Sequence, residues 1–156
     1  MKPTMLRFVT ACLCAGFACL IAFEPAPSRA QYFAVPQSPE MALRALRSEV
    51  GSFRGATRTA PNYVRDGYSN LWLRFQALRT AFENYVAVLS PDQVSRAANE
   101  LAELRCGLDM IQEVFSDSSG DQSNPVAFRR MCGVLDRAVS YWGAEVDRVS
   151  RRLGVR

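Results

Sequence analysis

Residues 62–89, NYVRDGYSNLWLRFQALRTAFENYVAVL, hold the pattern that decides the fold. Val64, Tyr68, Leu71, Phe75, Leu78, Phe82, Tyr85 and Leu89 follow one another at steps that alternate between four and three. That spacing lays all of them along one stripe of an α-helix, the seam of a helix packed in a bundle. Trp72 and Val86 widen the stripe, and Gly67 costs some helix stability. The same period recurs on both sides. Downstream, Ser90-Pro91-Asp92-Gln93 has the form of a capping box, with Ser90 as the cap and Gln93 reaching back to it. It opens a helix over 91–115 whose seam is Val94, Ala97, Leu101, Leu104, Leu108, Ile111 and Phe115. The polar loop SDSSGDQSN separates this from a helix over 125–153, capped by Asn124-Pro125, with Phe128, Met131, Leu135, Val139, Trp142, Val146, Val149 and Leu153 inward. Upstream, Ser38-Pro39-Glu40 starts a helix over 39–54 carrying Ala42, Leu46, Val50 and Phe53, and Gly55 and Pro61 are expected to break it.

No segment alternates with period two for long enough to form a strand. The expected fold is therefore all-α: an antiparallel up-down four-helix bundle with a short first helix, spanning 39–156. Charge supports this order of packing. Residues 31–80 carry a net +4, residues 81–128 a net −6 and residues 129–156 a net +4. An acidic third helix between basic neighbours is drawn to both.

The N-terminus belongs to another class of sequence. Lys2 and Arg7 precede sixteen uncharged residues, Phe8 to Phe23, and a polar stretch ends in Ser28-Arg29-Ala30. This reads as a secretory signal peptide over 1–30, cut before Gln31. The run is shorter than the roughly 20 residues a membrane span needs. Val9-Thr10-Ala11-Cys12 has the letters of a lipobox but no hydrophobic region before it. Cys12, Cys14 and Cys19 are then apolar filler that leaves with the leader. Residues 31–38 form an arm whose Tyr32, Phe33 and Val35 are expected to cover an apolar groove beside the short first helix, lined by Phe82, Tyr85, Val86, Val146 and Val149. The exported chain is expected in the periplasm or outside the cell.

Composition excludes several functions. The chain has no histidine, so a histidine base, a Ser-His-Asp triad and histidine-bound zinc or haem are all ruled out. No Gly-rich phosphate loop is present. Removing Lys2, Arg7, Arg29 and Glu24 with the leader leaves 16 basic and 14 acidic residues, too small an excess for a nucleic-acid binder. No catalytic, cofactor or metal-binding residues are assigned. Asp109 and Glu113, one helical turn apart, suit a solvated face better than a cation. Arg148, Arg151 and Arg152 offer a peripheral contact to an anionic membrane, set against favourable placement at a helix C-terminus. The aromatic group Tyr63, Tyr68, Trp72, Phe75, Phe82 and Tyr85 suits a core better than a ligand pocket. Cys106 and Cys132 remain after processing, and an even count in an exported chain makes a disulfide the default. Their levels agree with a bridge across the helix hairpin. Their angles do not, because Cys106 lies two positions from both Leu104 and Leu108 and points away from the seam.

Leu89-Ser90-Pro91-Asp92-Gln93 resembles the Leu-Thr-x-x-Gln motif of the periplasmic Spy/CpxP-like chaperone and stress-sensor family. Ser90 replaces the threonine, the match covers five residues, and the second copy typical of that family is absent. The resemblance implies a periplasmic chaperone-like module. On the residues alone, the expected function is that of a non-catalytic exported helical bundle acting on an envelope protein partner or as a structural component. The alternative is a module that holds an apolar ligand or an unfolded chain. Intact-mass measurement of exported protein is expected to give a chain starting at Gln31; a retained leader, or lipid on Cys12 or Cys19, overturns this reading.

Overall fold

Ser38 begins the first helix by accepting a hydrogen bond from the Met41 N–H on its side-chain oxygen, 3.3 Å away, with Pro39 in the first turn where its missing N–H costs nothing. In the computed structural model, which describes residues 38–62, 64–117 and 124–156, this helix is α1, Pro39–Thr59. A 3₁₀ turn, Ala60–Asn62, leads to α2, Val64–Ala87. Then follow α3, Pro91–Arg96; α4, Ala98–Asp117; and α5, Pro125–Arg152. The described residues are all-α, with no strand among them. No helix among them is long and apolar enough to cross a membrane. The leader 1–30, the arm residues 31–37 and Tyr63 lie outside the described residues.

Two boundaries differ from the sequence expectation. The first helix runs through Gly55 to Thr59, because a single glycine weakens a helix without ending it. Pro61, in the 3₁₀ turn, is the breaker. The expected third helix is split at Ala97, whose backbone leaves helical geometry at φ −120° and ψ 19°. The cause is tertiary. The Gln93 side-chain amide donates to the Leu153 carbonyl at 3.2 Å, and the Arg152 guanidinium donates to the Arg96 carbonyl at 3.2 Å. Both bonds tie α3 to the end of α5, while α4 follows its own apolar stripe. The Ser90–Gln93 capping box forms with both reciprocal bonds, 3.3 and 2.9 Å. The five residues that resemble the chaperone motif thus have a complete local role in the fold.

The buried core is drawn from α1, α2, α4 and α5, with Leu89 and Ala97 at the connections and Leu153 and Val155 at the C-terminal end. Phe53, Phe75, Phe115, Tyr68 and Trp72 stack edge-to-face or tilted, with centroids 5.4–6.4 Å apart. Such pairs add about 0.5–1.5 kcal/mol each beyond the area they bury. This cluster fills the space that a ligand pocket among the α2 aromatics would need. Gly67 has a packing reason: a Cβ there would stand 2.8 Å from the Ala60 carbonyl oxygen and 3.1 Å from the Phe128 ring. The chain ends with a Schellman closure, in which Val155 N–H bonds the Ser150 carbonyl, Gly154 N–H bonds the Arg151 carbonyl, and Gly154 takes φ 77°. Val155 is buried by that turn.

The apolar groove expected at Phe82, Tyr85, Val86, Val146 and Val149 is closed. Phe82 and Tyr85 have no exposed surface, Val146 and Val149 are buried, and Val86 is half-buried. The longer α1 explains the difference. Its first turns stand level with Tyr85, close enough for the charges of Glu40 and Arg47 to act on the Tyr85 hydroxyl, and Arg47 pairs with Asp147 at 2.8 Å. Ser150 Oγ donates to the Val146 carbonyl at 2.8 Å, so the Tyr85 hydroxyl, 2.8 Å away, is the donor to Ser150. Burial pushes the Tyr85 hydroxyl above its ordinary pKa, and the Ser150 bond opposes this more weakly.

Tyr85→Phe leaves Ser150 bonded to Val146, so its expected cost at neutral pH is about 0.5–1.5 kcal/mol. The alkaline limb tests the burial. The unfolded tyrosine ionises near pH 10 while the folded one stays neutral, so this group's contribution is complete below about pH 10 and falls as pH rises. Urea unfolding at about pH 9 and about pH 11 is expected to show a smaller alkaline loss for Tyr85→Phe than for the native chain. Equal losses would place Tyr85 in a hydrated site.

Candidate functional site: an open groove between α4 and α5

Trp142 makes the site. It projects from α5 toward α4, donates its indole N–H to the Leu104 carbonyl at 2.8 Å, and packs edge-on against Phe82 with centroids 5.4 Å apart. Gly107 faces it from α4; a Cβ at that position would stand 3.0 Å from the indole Cδ1. The missing side chain gives the indole its place. Outside this wedge the two helices leave a groove of about 580 Å³.

The groove floor is Leu104, Ile111, Trp142 and Val149, and its walls carry Met110, Val114, Val134, Ala138 and Tyr141. Met110, Val134 and Tyr141 are 63%, 41% and 72% exposed. Large apolar side chains this exposed are common singly; here three of them line one concavity. Glu100, Glu103, Glu145 and Arg148 gather at one end. Glu145 is paired with Arg148, and Glu100 with Arg152. The Arg152 pairing and the Glu100 backbone contact hold the Glu100 carboxyl below its ordinary pKa, with the backbone the larger cause.

The expected disulfide is absent: Cys106 is an exposed free thiol on the groove wall, and Cys132 is a buried one. The angle of Cys106 decided this. It lies on the outer flank of α4, away from the seam that contains Cys132's neighbours. Burial pushes the Cys132 thiol up to about 11. Of the arginines expected at a membrane, Arg148 and Arg152 are taken by carboxylates, and Arg151 is left exposed. Asp109 is taken by Arg79 at 3.0 Å, and Glu113 is exposed. Among the described residues no group of three acidic or cysteine side chains is placed to hold a metal. Val149 is the one residue shared by the expected groove and the observed one.

The sequence did carry a sign of the observed groove. Met110, Val114, Val134, Ala138 and Tyr141 each stand one position before a seam residue: Ile111, Phe115, Leu135, Val139 and Trp142. One position is about 100° of helix, so both stripes widen toward one side. No family model, curated protein or solved structure matches this chain.

The thiols give a direct check. In native protein a maleimide is expected to label one cysteine per chain, Cys106, and a second, Cys132, only after denaturant is added. No labelling in native protein without reductant would restore the disulfide.

Proposed function

We propose that this chain is an exported, non-catalytic, up-down four-helix bundle that works by holding a protein partner in the α4–α5 groove, in the cell envelope or outside it. The observation that carries the reading is the line of exposed Met110, Val134 and Tyr141 along one open groove beside a filled aromatic core. Methionine and tyrosine are the side chains protein interfaces favour, one adaptable and one broad and stiff. A bundle with α3 and α4 counted as one bent arm agrees with the ion pairs. Arg47 meets Asp147 and Arg54 meets Asp136, so numbers rise along α1 as they fall along α5. Export rests on the leader-like residues 1–30. The absence of histidine and the engagement of Glu100 and Glu145 by arginines weigh against catalysis.

The second reading, a module for an apolar ligand or an unfolded chain, is favoured by one observation. A groove of about 580 Å³ backed by Trp142 falls within the usual range for small-molecule sites. Its open side favours a macromolecular partner.

A photo-crosslinker attached to Cys106 tests the surface. In envelope extracts it is expected to give a protein adduct that is lost in Met110→Glu, whose stability stays within about 0.5 kcal/mol of native because the side chain is exposed. The same reagent on Arg44→Cys in a Cys106→Ala background, on an exposed position of α1, is expected to give no such adduct. Equal adducts from both positions, or none from Cys106, would overturn the reading.

A further inference from the structure

We propose that the partner in this groove is a second copy of the chain, paired through the same face about a two-fold axis that runs along the helices. The inference rests on the groove reading above and adds the identity of the occupant. It follows from how charge is sorted across the groove.

Glu103, in the lining at one end of the groove, and Glu113 lie on the exposed face of α4, and Arg130 and Arg137 on the exposed face of α5. The spacings place them there. Glu103, Met110 and Glu113 follow the three-and-four rhythm of one helix edge, as do Arg130, Val134, Arg137 and Tyr141. All four charged residues are exposed. None takes part in an ion pair among the described residues, although Arg79, Arg105 and Arg152 nearby all do. Among the described residues, α4 thus presents carboxylates without an ion-pair partner, α5 presents guanidiniums without one, and the exposed Met110, Val134 and Tyr141 lie among them.

A two-fold interface presents the same patch from both sides, so the patch must complement itself. With the axis along the helices, α4 of one copy lies over α5 of the other at the same height. The α4–α5 connection runs from Asp117 to Pro125, which puts Glu113 level with residue 129 and Glu103 level with residue 139. Arg130 and Arg137 of the second copy are therefore within about two residues, or roughly 3 Å of rise, of their carboxylates. Both pairs form twice by symmetry, and Met110, Val134 and Tyr141 close over the apolar centre. The other two-fold, with the axis across the helices, lays α4 on α4 and sets carboxylates against carboxylates. Exposed rim pairs add little affinity, but like-charge contact excludes the wrong register.

The test is the mass in solution of the exported protein, by sedimentation equilibrium up to near-millimolar concentration, with Glu103→Arg, Arg137→Glu and the double variant. Both positions are exposed and unpaired within the chain, and thermal melts confirm that each variant folds. The native chain is expected to dimerise. Each single reversal is expected to weaken the dimer by about tenfold, and the double reversal to restore it to within about threefold. A native chain that stays monomeric overturns the proposal, as does a dimer indifferent to the single reversals or not rescued by the double one. The two readings fail separately. A monomer whose Cys106 crosslinks to a different protein keeps the groove and removes the self-pairing. A monomer with no adduct removes both.

Discussion

The indole of Trp142 is the constraint around which the α4–α5 half of the molecule is arranged. Its N–H must find an acceptor once buried, and the Leu104 carbonyl supplies one across the helix interface. A side chain of that size cannot lie between two helices in close contact. Gly107 gives it room on one side, and Phe82 backs it on the other. The result is a helix pair bridged by an aromatic wedge, with open space outside it. The groove is what remains when α4 and α5 meet over a tryptophan rather than over leucine. The α1–α2 pair contrasts with it: Gly67 lets that pair close to backbone contact beside the 3₁₀ turn.

The existence and type of the long helices were legible because each one carries a seam at steps of three and four, and Ser38-Pro39, Ser90-Pro91 and Asn124-Pro125 mark three of the starts. Nearly all the seam residues named from the sequence are buried. What was not legible came from outside each segment. Gly55 looks like a breaker in isolation, yet α1 passes through it because Phe53, Ala56 and Thr57 are all buried against their neighbours. Ala97 interrupts a seam it belongs to because α3 is fastened to the far end of α5. The cysteines show two local signals in conflict. Height along the hairpin favours a bridge and azimuth forbids it, and azimuth wins because a helix cannot rotate one residue without turning its whole stripe out of the core. The expected groove failed for a related reason: α1 runs five residues further than expected, which brings its first turns level with Tyr85.

The charged side chains of this all-α fold fall into two groups. Arg79–Asp109 and Arg152–Glu100 join carboxylates of α4 to arginines of α2 and α5, the sense expected of an acidic helix between basic ones, whereas Arg105–Glu83 joins α4 to α2 in the opposite sense. Water screens these pairs, so they orient the helices more than they hold them. The Glu83 carboxyl, held below its ordinary pKa chiefly by its hydrogen bond to Arg105, reflects the same contact. Glu103, Glu113, Arg130 and Arg137 form no such pair among the described residues. Side chains with no internal partner are the ones selection can spend on an external one.

Stability and the groove draw on different residues. The aromatic cluster of Phe53, Phe75 and Phe115 lies on the α1–α2 side, and each of its members is closed off from solvent. Met110 and Tyr141 keep most of their surface in water, and Val134 about two fifths of it, so they contribute little to folding. The floor residues Leu104, Ile111 and Trp142 serve both, because they are core side chains seen from outside through the gap. Substitution on the groove wall therefore alters the groove surface without touching the core, whereas substitution on the floor alters both. That division lets a small helical domain carry an exposed apolar surface at modest cost to its own stability, since the chain does not need that surface covered in order to fold.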